Sequence, residues 1–248
     1  MTKVAIVCTY FSREKQLLKT LDSFRQYNPH DFFVVIVDDE SPEDIQIPDY
    51  PFEVTIIKIR DKKWILGTPA WNVGIFHALK SDLDVVILQN AECCHVGDVL
   101  GIAKQVKDDL YLTFACYSQG KDEEIKSVIN NKKASFDGES AWYNHSVYNP
   151  RSLHFCSAIT AKNLIRINGF DERFSYGIGY DDDYLLHQIR SLGLKVGIMD
   201  NPYVIHQWHY NHTPRPDFNE LFKKNFQLYL QLIKERNFKA VHIITADL

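Results

Sequence analysis

The sequence predicts an α/β domain built on a mostly parallel central sheet flanked by helices, with a long helix near its C-terminal end. Three observations carry that expectation. The first half alternates short β-branched apolar runs with helical periodicities, the rhythm of parallel strands joined by right-handed crossovers. FFVVIVDD (32–39) is a nearly unbroken apolar run closed by acids, as suits a strand covered on both faces. DFNELFKKNFQLYLQLIKER (217–236) spaces Leu221, Phe222, Phe226, Tyr229, Leu232 and Ile233 along one packing face of a helix.

Taken in order, VAIVCTY (4–10) reads as the first strand. EKQLLKTLDSFRQY (14–27) follows as a helix with Leu17, Leu18, Leu21 and Phe24 on one face. After the strand at 32–39, FEVTIIKI (52–59) is a third strand, and PAWNVGIFHALK (69–80) a helix with proline in its first turn. DVVILQ (84–89) is the fourth strand, GDVLGIAKQVKD (97–108) a helix and LYLTFACY (110–117) a further strand. The stretch 118–153 is polar and turn-rich, a surface insertion with one short helix over 121–130. SAITAKNLIRINGF reads as a short helix stopped by Gly169, DDDYLLHQIRSLG as a helix stopped by Gly193, and LKVGIMD as a strand. No repeat, low-complexity tract or linker divides the chain, so 1–248 is read as one domain.

Composition narrows the function. At 248 residues, 45% hydrophobic and 24% charged, the chain can bury a sizeable core as a soluble globular protein. A net charge of −4 argues against nucleic acid as a partner, because phosphate neutralisation needs a concentrated basic face. The N-terminal residues run directly into a strand, and no stretch is apolar for long enough to span a membrane. Five cysteines without CxxC spacing suit a reduced, cytoplasmic setting and packing roles.

In open α/β sheets ligands bind beyond the carboxyl ends of the strands. Three such ends carry polar groups here: Thr9, Tyr10 and Arg13; Asp38, Asp39 and Glu40; and the knot Gln89 to His95. Neither GxGxxG nor GxxxxGK[ST] is present, so a bound diphosphate would need another counter-charge, for which a divalent cation is the usual substitute. Glu92 is the carboxylate placed to hold one, and His206 and His209 in VIHQWHY add imidazoles. In RFSYGIGYDDDYLLHQI, glycines 177 and 179 permit unusual backbone angles before Asp181, Asp182 and Asp183 open a helix. One aspartate serves as cap, but three adjacent acids repel, and one becomes a candidate general base.

Together these segments resemble a family 2-like glycosyltransferase of the nucleotide-sugar-binding GT-A fold, over roughly residues 3 to 210. VAIVCTYFSR resembles the nucleotide corner, with Thr9, Tyr10 and Arg13; VVIVDDES resembles the strand whose aspartate reads the base, Asp38 or Asp39. GTPAWNVGI resembles the glycine-rich turn and helix with Gly67, Asn72 and Gly74, although Trp71 stands where an arginine is usual. QNAEC occupies the slot of the Asp-x-Asp motif, with Asn90 for its first acid and Glu92 for the metal-touching second. NGFDERFSYGIGYDDDYLLHQI resembles the acceptor block of galactosyltransferase-like domains; Asp181 falls on its glutamate and Asp182 on the aspartate that serves as base. His206 falls where related enzymes place a further metal ligand, and His209 where it could contact the diphosphate.

The resemblance implies a nucleotide-binding part at 1–117, an acceptor and catalytic part at 118–210 and a helical extension at 211–248. It implies transfer of a sugar from a nucleoside-diphosphate sugar, a UDP-sugar first, to a glycan or other hydroxyl acceptor, with inversion and with Mn²⁺ or Mg²⁺ as cofactor. The segment AWYNHS offers Trp142, Tyr143, Asn144 and His145 either as a buried satellite cluster or as an acceptor- and sugar-facing loop. Trp208 has the same two readings, and Gly179 falls on the acceptor side. Three alternatives stay open: an inactive nucleotide- or sugar-binding module, a sugar nucleotidyltransferase, and a zinc hydrolase using His206 and His209.

Overall fold

The computed structural model describes residues 2–123, 131–134, 140–210, 215–235 and 238–246. β1 (Val4–Tyr10), α1 (Glu14–Ser23), β2 (Phe32–Asp38), β3 (Glu53–Lys58), α2 (Thr68–Ala78) and β4 (Val85–Asn90) follow one another as the alternation predicts. β5 (Cys93–Val96), α3 (Val99–Ala103), β6 (Leu110–Ser118), β7 (Ala141–Asn144) and β8 (Cys156–Thr160) come next. α4 (Ala161–Ile167), α5 (Asp181–Ser191), β9 (Lys195–His206) and α6 (Phe218–Leu232) complete the chain. The strands form one nine-stranded sheet in the order β3-β2-β1-β4-β8-β6-β9-β5, with β7 beside β6.

The pairing is parallel through β3, β2, β1 and β4, and again between β6 and β9. β8 then runs antiparallel between β4 and β6, and β5 and β7 are antiparallel to β9 and β6. Period-two alternation sends Val4, Ile6, Cys8, Val34 and Ile36 to one face, beneath Leu17, Leu21 and Phe24 of α1 and its continuation. Ala5, Val7, Val35, Val37, Val86 and Leu88 point to the other, under α2, α4 and α5. All seven residues of β2 are buried, so both faces are covered as its unbroken apolar run requires.

Several elements differ from expectation. The predicted helix at 14–27 ends at Ser23 and tightens into a 3-10 turn over Phe24–Gln26. The helix expected over 97–108 shrinks to Val99–Ala103, capped by Asp98, whose carboxylate accepts the Gly101 N–H at 2.9 Å. The segment read as one helix from SAIT onward opens with strand β8; helicity begins only after Thr160 caps α4. That helix is stopped by Asn168 in the left-handed region, φ 66°, one residue ahead of Gly169. The strand read in LKVGIMD runs on to His206. Most of the short helix expected over 121–130 lies outside the described residues.

The expected apolar face of α6 is only partly used. Leu232 is buried, but Phe222 and Phe226 remain about 40% and 39% exposed, with Tyr180 packed against both rings. Asn225 is the inward residue instead, donating to the carbonyls of Phe174 and Gly179 at 3.1 and 2.9 Å. A second strap joins the C-terminal residues to the core. Buried Glu172 accepts the N–H groups of Ile243, Ile244 and Thr245 at 2.8, 2.6 and 3.0 Å. No helix among the described residues is long and apolar enough to cross a membrane.

α2 lies so close to the sheet that a Cβ on Gly74 would fall 2.7 Å from Val7 Cγ1 and 2.9 Å from Val37 Cγ2. Gly74→Ala is therefore expected to destabilise the chain by about 1–3 kcal/mol through overpacking, read as a lowered urea midpoint at unchanged m-value.

Candidate functional site

The carboxyl ends of β1, β4 and β9 meet around Glu92. The parallel register sets Thr9 beside Asn90 and Tyr10 beside Asp38. Glu92 follows in the short turn from β4 to β5, while His206 ends β9 opposite Cys93. The Glu92 Oε1 atom lies 2.5 Å from Arg13 Nη1, 3.2 Å from His206 Nε2 and 3.6 Å from His209 Nε2. Burial alone would raise the Glu92 pKa; hydrogen bonds to the two imidazoles and the Arg13 charge instead hold it well below the usual carboxylate range. Gln207 fixes the loop from behind, donating its backbone and side-chain N–H groups to the Glu92 carbonyl, both at 3.0 Å.

Beside this centre Thr9, Tyr10, Phe11, Arg13, Asp39, Asn90 and Glu92 line a crevice of about 170 Å³. Of the two aspartates proposed to read a base, Asp39 faces it. Its carboxylate takes Lys62 Nζ at 2.5 Å and Trp64 Nε1 at 2.9 Å, and burial raises its pKa despite those donors. Asp38 is turned inward, 1% exposed, accepting the Ser41 N–H at 2.8 Å with Lys58 Nζ 3.8 Å away. Gly67 adjoins the same corner, since a Cβ there would lie 3.7 Å from Asp39 Oδ2.

Other candidates serve the interior. Asn72 is fully buried; its amide donates to Phe170 O and Glu172 Oε1 and accepts the Phe170 N–H, all within 2.9 Å. Asn144 is likewise sealed, bonded to Thr113, Phe114 and Ser152. Trp142 packs among Tyr117, His145 and Tyr203 and donates to Asn131 O at 2.8 Å. The satellite-cluster reading thus describes Trp142 and Asn144, and the structure corrects Asn72 from a ligand-facing position to a core one. His145 lies on the same cluster, 3.7 Å from Asp200 and accepting the Val147 N–H. Tyr143 is the member that reaches the centre: its ring meets His206 edge-on at 5.3 Å and stacks on Phe155 at 5.2 Å.

Trp208 and His209 line a separate crevice of about 420 Å³ with Lys15, Lys19 and Lys121. Gly179 adopts φ 71°, and a Cβ there would meet the Phe222 ring at 3.3 Å. The residue after it, Tyr180, holds φ 65° as a non-glycine, a conformation sustained by packing against Phe222, Phe226 and Tyr229.

The three aspartates open α5, as expected, and each is partly exposed. Sequence reasoning missed what stands behind them. His154 Nδ1 lies 2.5 Å from Asp182 Oδ1. Its neighbour in sequence, Phe155, accepts the Asn90 N–H at 3.1 Å, so two consecutive residues link the acids of α5 to the end of β4. A lone histidine two residues before an unrecognised strand gave no spacing signal. Burial and the Asp182 charge push the Asp181 pKa up to about 7, while Arg151 Nη2 lies 4.0 Å from Asp183.

The Glu92, His206 and His209 ligand atoms lie within 4.8 Å of one another, a set able to hold a metal ion. One carboxylate with two imidazoles is a mixed oxygen and nitrogen donor set of the kind that divalent first-row metals accept.

No family model matches the chain, and no curated protein matches it in sequence. Solved structures do match in shape. TarS residues 1–349 from S. aureus, in complex with UDP, superposes with a TM-score of 0.61 at 12% identity, covering 94% of this chain and 64% of that one. The UDP-GlcNAc complex of the same TarS fragment gives 0.61 at 13% identity, covering 89% and 64%. A mannosyltransferase, PcManGT from Pyrobaculum calidifontis, in complex with GDP-Man and Mn²⁺, gives 0.52 at 17% identity, covering 88% and 59%. The chain thus has the GT-A glycosyltransferase fold and spans about 60% of the length of these three structures.

With a folded-state pKa near 7 against an unfolded value of about 3.9, Asp181 binds a proton more tightly folded than unfolded. Its contribution to stability is intact below about pH 4 and is lost as pH rises through about 7. Asp181→Asn should therefore stabilise the chain near pH 8, by about 1 kcal/mol or more, and leave it unchanged near pH 4, as read by urea denaturation at both.

Proposed function

We propose that this protein transfers a sugar from a nucleoside-diphosphate sugar, with UDP-sugars the first candidates, to an acceptor hydroxyl with inversion at the anomeric carbon. The observation that carries the reading is the convergence of Glu92, His206 and His209 beside a crevice lined by Thr9, Tyr10, Arg13, Asp39 and Asn90. The fold supports it independently, because the matched structures include complexes with UDP, UDP-GlcNAc and GDP-Man.

In this reading the base and ribose lie over Thr9, Tyr10 and Asp39, with Gly67 leaving the backbone close to the last. Glu92, His206 and His209 hold the divalent cation, which when bound neutralises charge on the leaving diphosphate. Arg13 lies against the same carboxylate and is placed to pair with phosphate oxygens. The Asn90 amide, uncharged, can donate to a ribose hydroxyl or to water. At the other end of the site Asp182 takes the proton of the acceptor hydroxyl. That oxygen bonds to the anomeric carbon from the face opposite the diphosphate, whose bond to the sugar breaks with its electron pair. General-base assistance of this kind supplies ~10²–10⁴ in rate.

A thermal-shift screen of nucleotide sugars, run with and without Mn²⁺, tests the donor side. Selective stabilisation that needs Mn²⁺ and disappears in His206→Ala is expected; equal response to every nucleotide would reject the site. Asp182→Asn should lower transfer at least ~10²-fold while UDP affinity stays within about twofold. UDP binding with no donor hydrolysis or transfer across acceptors would identify an inactive binding module instead.

A further inference from the structure

His154 is buried to 7% exposure at its side chain, and its Nδ1 lies 2.5 Å from Asp182 Oδ1. Neither atom is open to solvent, and neither makes a hydrogen bond to any described residue, so the contact between them is a close ion pair. At that separation two bare lone pairs would repel, whereas an imidazolium and a carboxylate attract. The ring is held in place. Trp71 meets it edge-on at 5.1 Å and 81°, Phe170 does so at 4.9 Å and 64°, and these two rings stack on each other at 5.5 Å. Asn72 in turn pins Phe170 through two backbone hydrogen bonds of 2.8 Å.

The charged groups facing the imidazole are Asp182 and Asp181, both at the start of α5; Trp71 of α2 and Phe170 present only aromatic surface. Burial disfavours the His154 cation, yet the two carboxylates hold its pKa above the ordinary imidazole value. Asp182 keeps about 32% of its side chain exposed although Oδ1 is sealed, which leaves Oδ2 as its uncommitted oxygen.

We infer that His154 is the positioning residue of the base: its imidazolium, paired with Asp182 Oδ1, turns Oδ2 toward the acceptor hydroxyl. The roles are those of an acid–imidazole pair with the order reversed, the histidine now orienting the acid rather than the acid the histidine. This rests on the reading of Asp182 as base, but the pair itself can be tested without any substrate.

Long-range ¹H–¹⁵N spectra of histidine side chains, with His154 assigned by its loss in His154→Asn, read the ring directly. A His154 ring protonated at both nitrogens near pH 7, becoming neutral in Asp182→Asn, is expected. A neutral ring with bare Nδ1 in the wild type, or no change in Asp182→Asn, overturns the inference. Release of UDP from UDP-GlcNAc and of GDP from GDP-mannose, by hydrolysis or transfer, gives the kinetic readout. His154→Phe fills the volume without a donor and should lower kcat ~10²-fold at a donor KM within about twofold. His154→Asn restores a neutral N–H donor and should recover most of that loss. Loss of the His154 cation, whose pKa the neighbouring carboxylates hold up, should also move the acidic limb of the pH–rate profile. Equal damage in both variants, or an unmoved limb in His154→Asn, would show that His154 only fills space. An active Asp182→Asn would remove the base assignment while leaving the spectroscopic result on the pair to stand.

Discussion

The architecture of the site depends on one buried carboxylate opposed by three cationic or potentially cationic groups. Glu92 is 6% exposed at its side chain, and Arg13, His206 and His209 all address the same oxygen within 3.6 Å. An isolated carboxylate so deeply placed would protonate; these partners keep it ionised. The partners come from distant places in the chain, the loop after β1 and the end of β9. Their convergence ties the parallel half of the sheet to the antiparallel half at the edge where a ligand would enter.

That convergence requires the reversal of strand direction after β4. A purely parallel continuation would carry the end of each strand to the same edge but would need a long crossover before every one. Here β8 returns antiparallel between β4 and β6, so Phe155, just before it, arrives beside Asn90 at the carboxyl end of β4. β6 and β9 are again parallel to each other, and β9 delivers His206 next to Ser118 and Cys93. The polar residues of the centre thus lie at strand ends or in the short segments just beyond them, Asn90 and His206 on β4 and β9 and Arg13, Glu92 and His209 in the adjoining loops.

The sequence made the first half of this fold legible because β1, β2 and β4 are long apolar runs whose faces both require cover, and α1 and α2 carry clear helical spacing. Glu92, His206 and Asp182 were legible through residue type at strand and helix ends. The short antiparallel strands were not: Cys93–Val96 and Ala141–Asn144 are four residues each, too short for periodicity to declare itself. Asn72 shows the complementary limit. Its polar side chain just after the glycine-led turn invites a ligand-binding role, but its place inside α2 rotates it toward Phe170 and Glu172, where its amide closes a buried network. Phe222 and Phe226 went the other way: helical spacing assigned them to the core, whereas Asn225 takes the inward position because the carbonyls of Phe174 and Gly179 need a donor there.

The exchange of an acid for Asn90 becomes intelligible from this arrangement. Arg13 already supplies a permanent positive charge 2.5 Å from Glu92, so charge is balanced around one carboxylate instead of two. A second carboxylate at 90 would add repulsion beside Glu92 and Asp39 in a crevice of about 170 Å³. An asparagine keeps a polar group at the crevice wall without that cost. Its backbone N–H meanwhile reaches Phe155 O, and the next residue back, His154, forms a close ion pair with Asp182. The same short segment therefore touches both the wall of the crevice and the acid at the start of α5. Displacement of 154–155 would disturb both together, which is why the two residues leading into β8 are the ones on which the geometry between them turns.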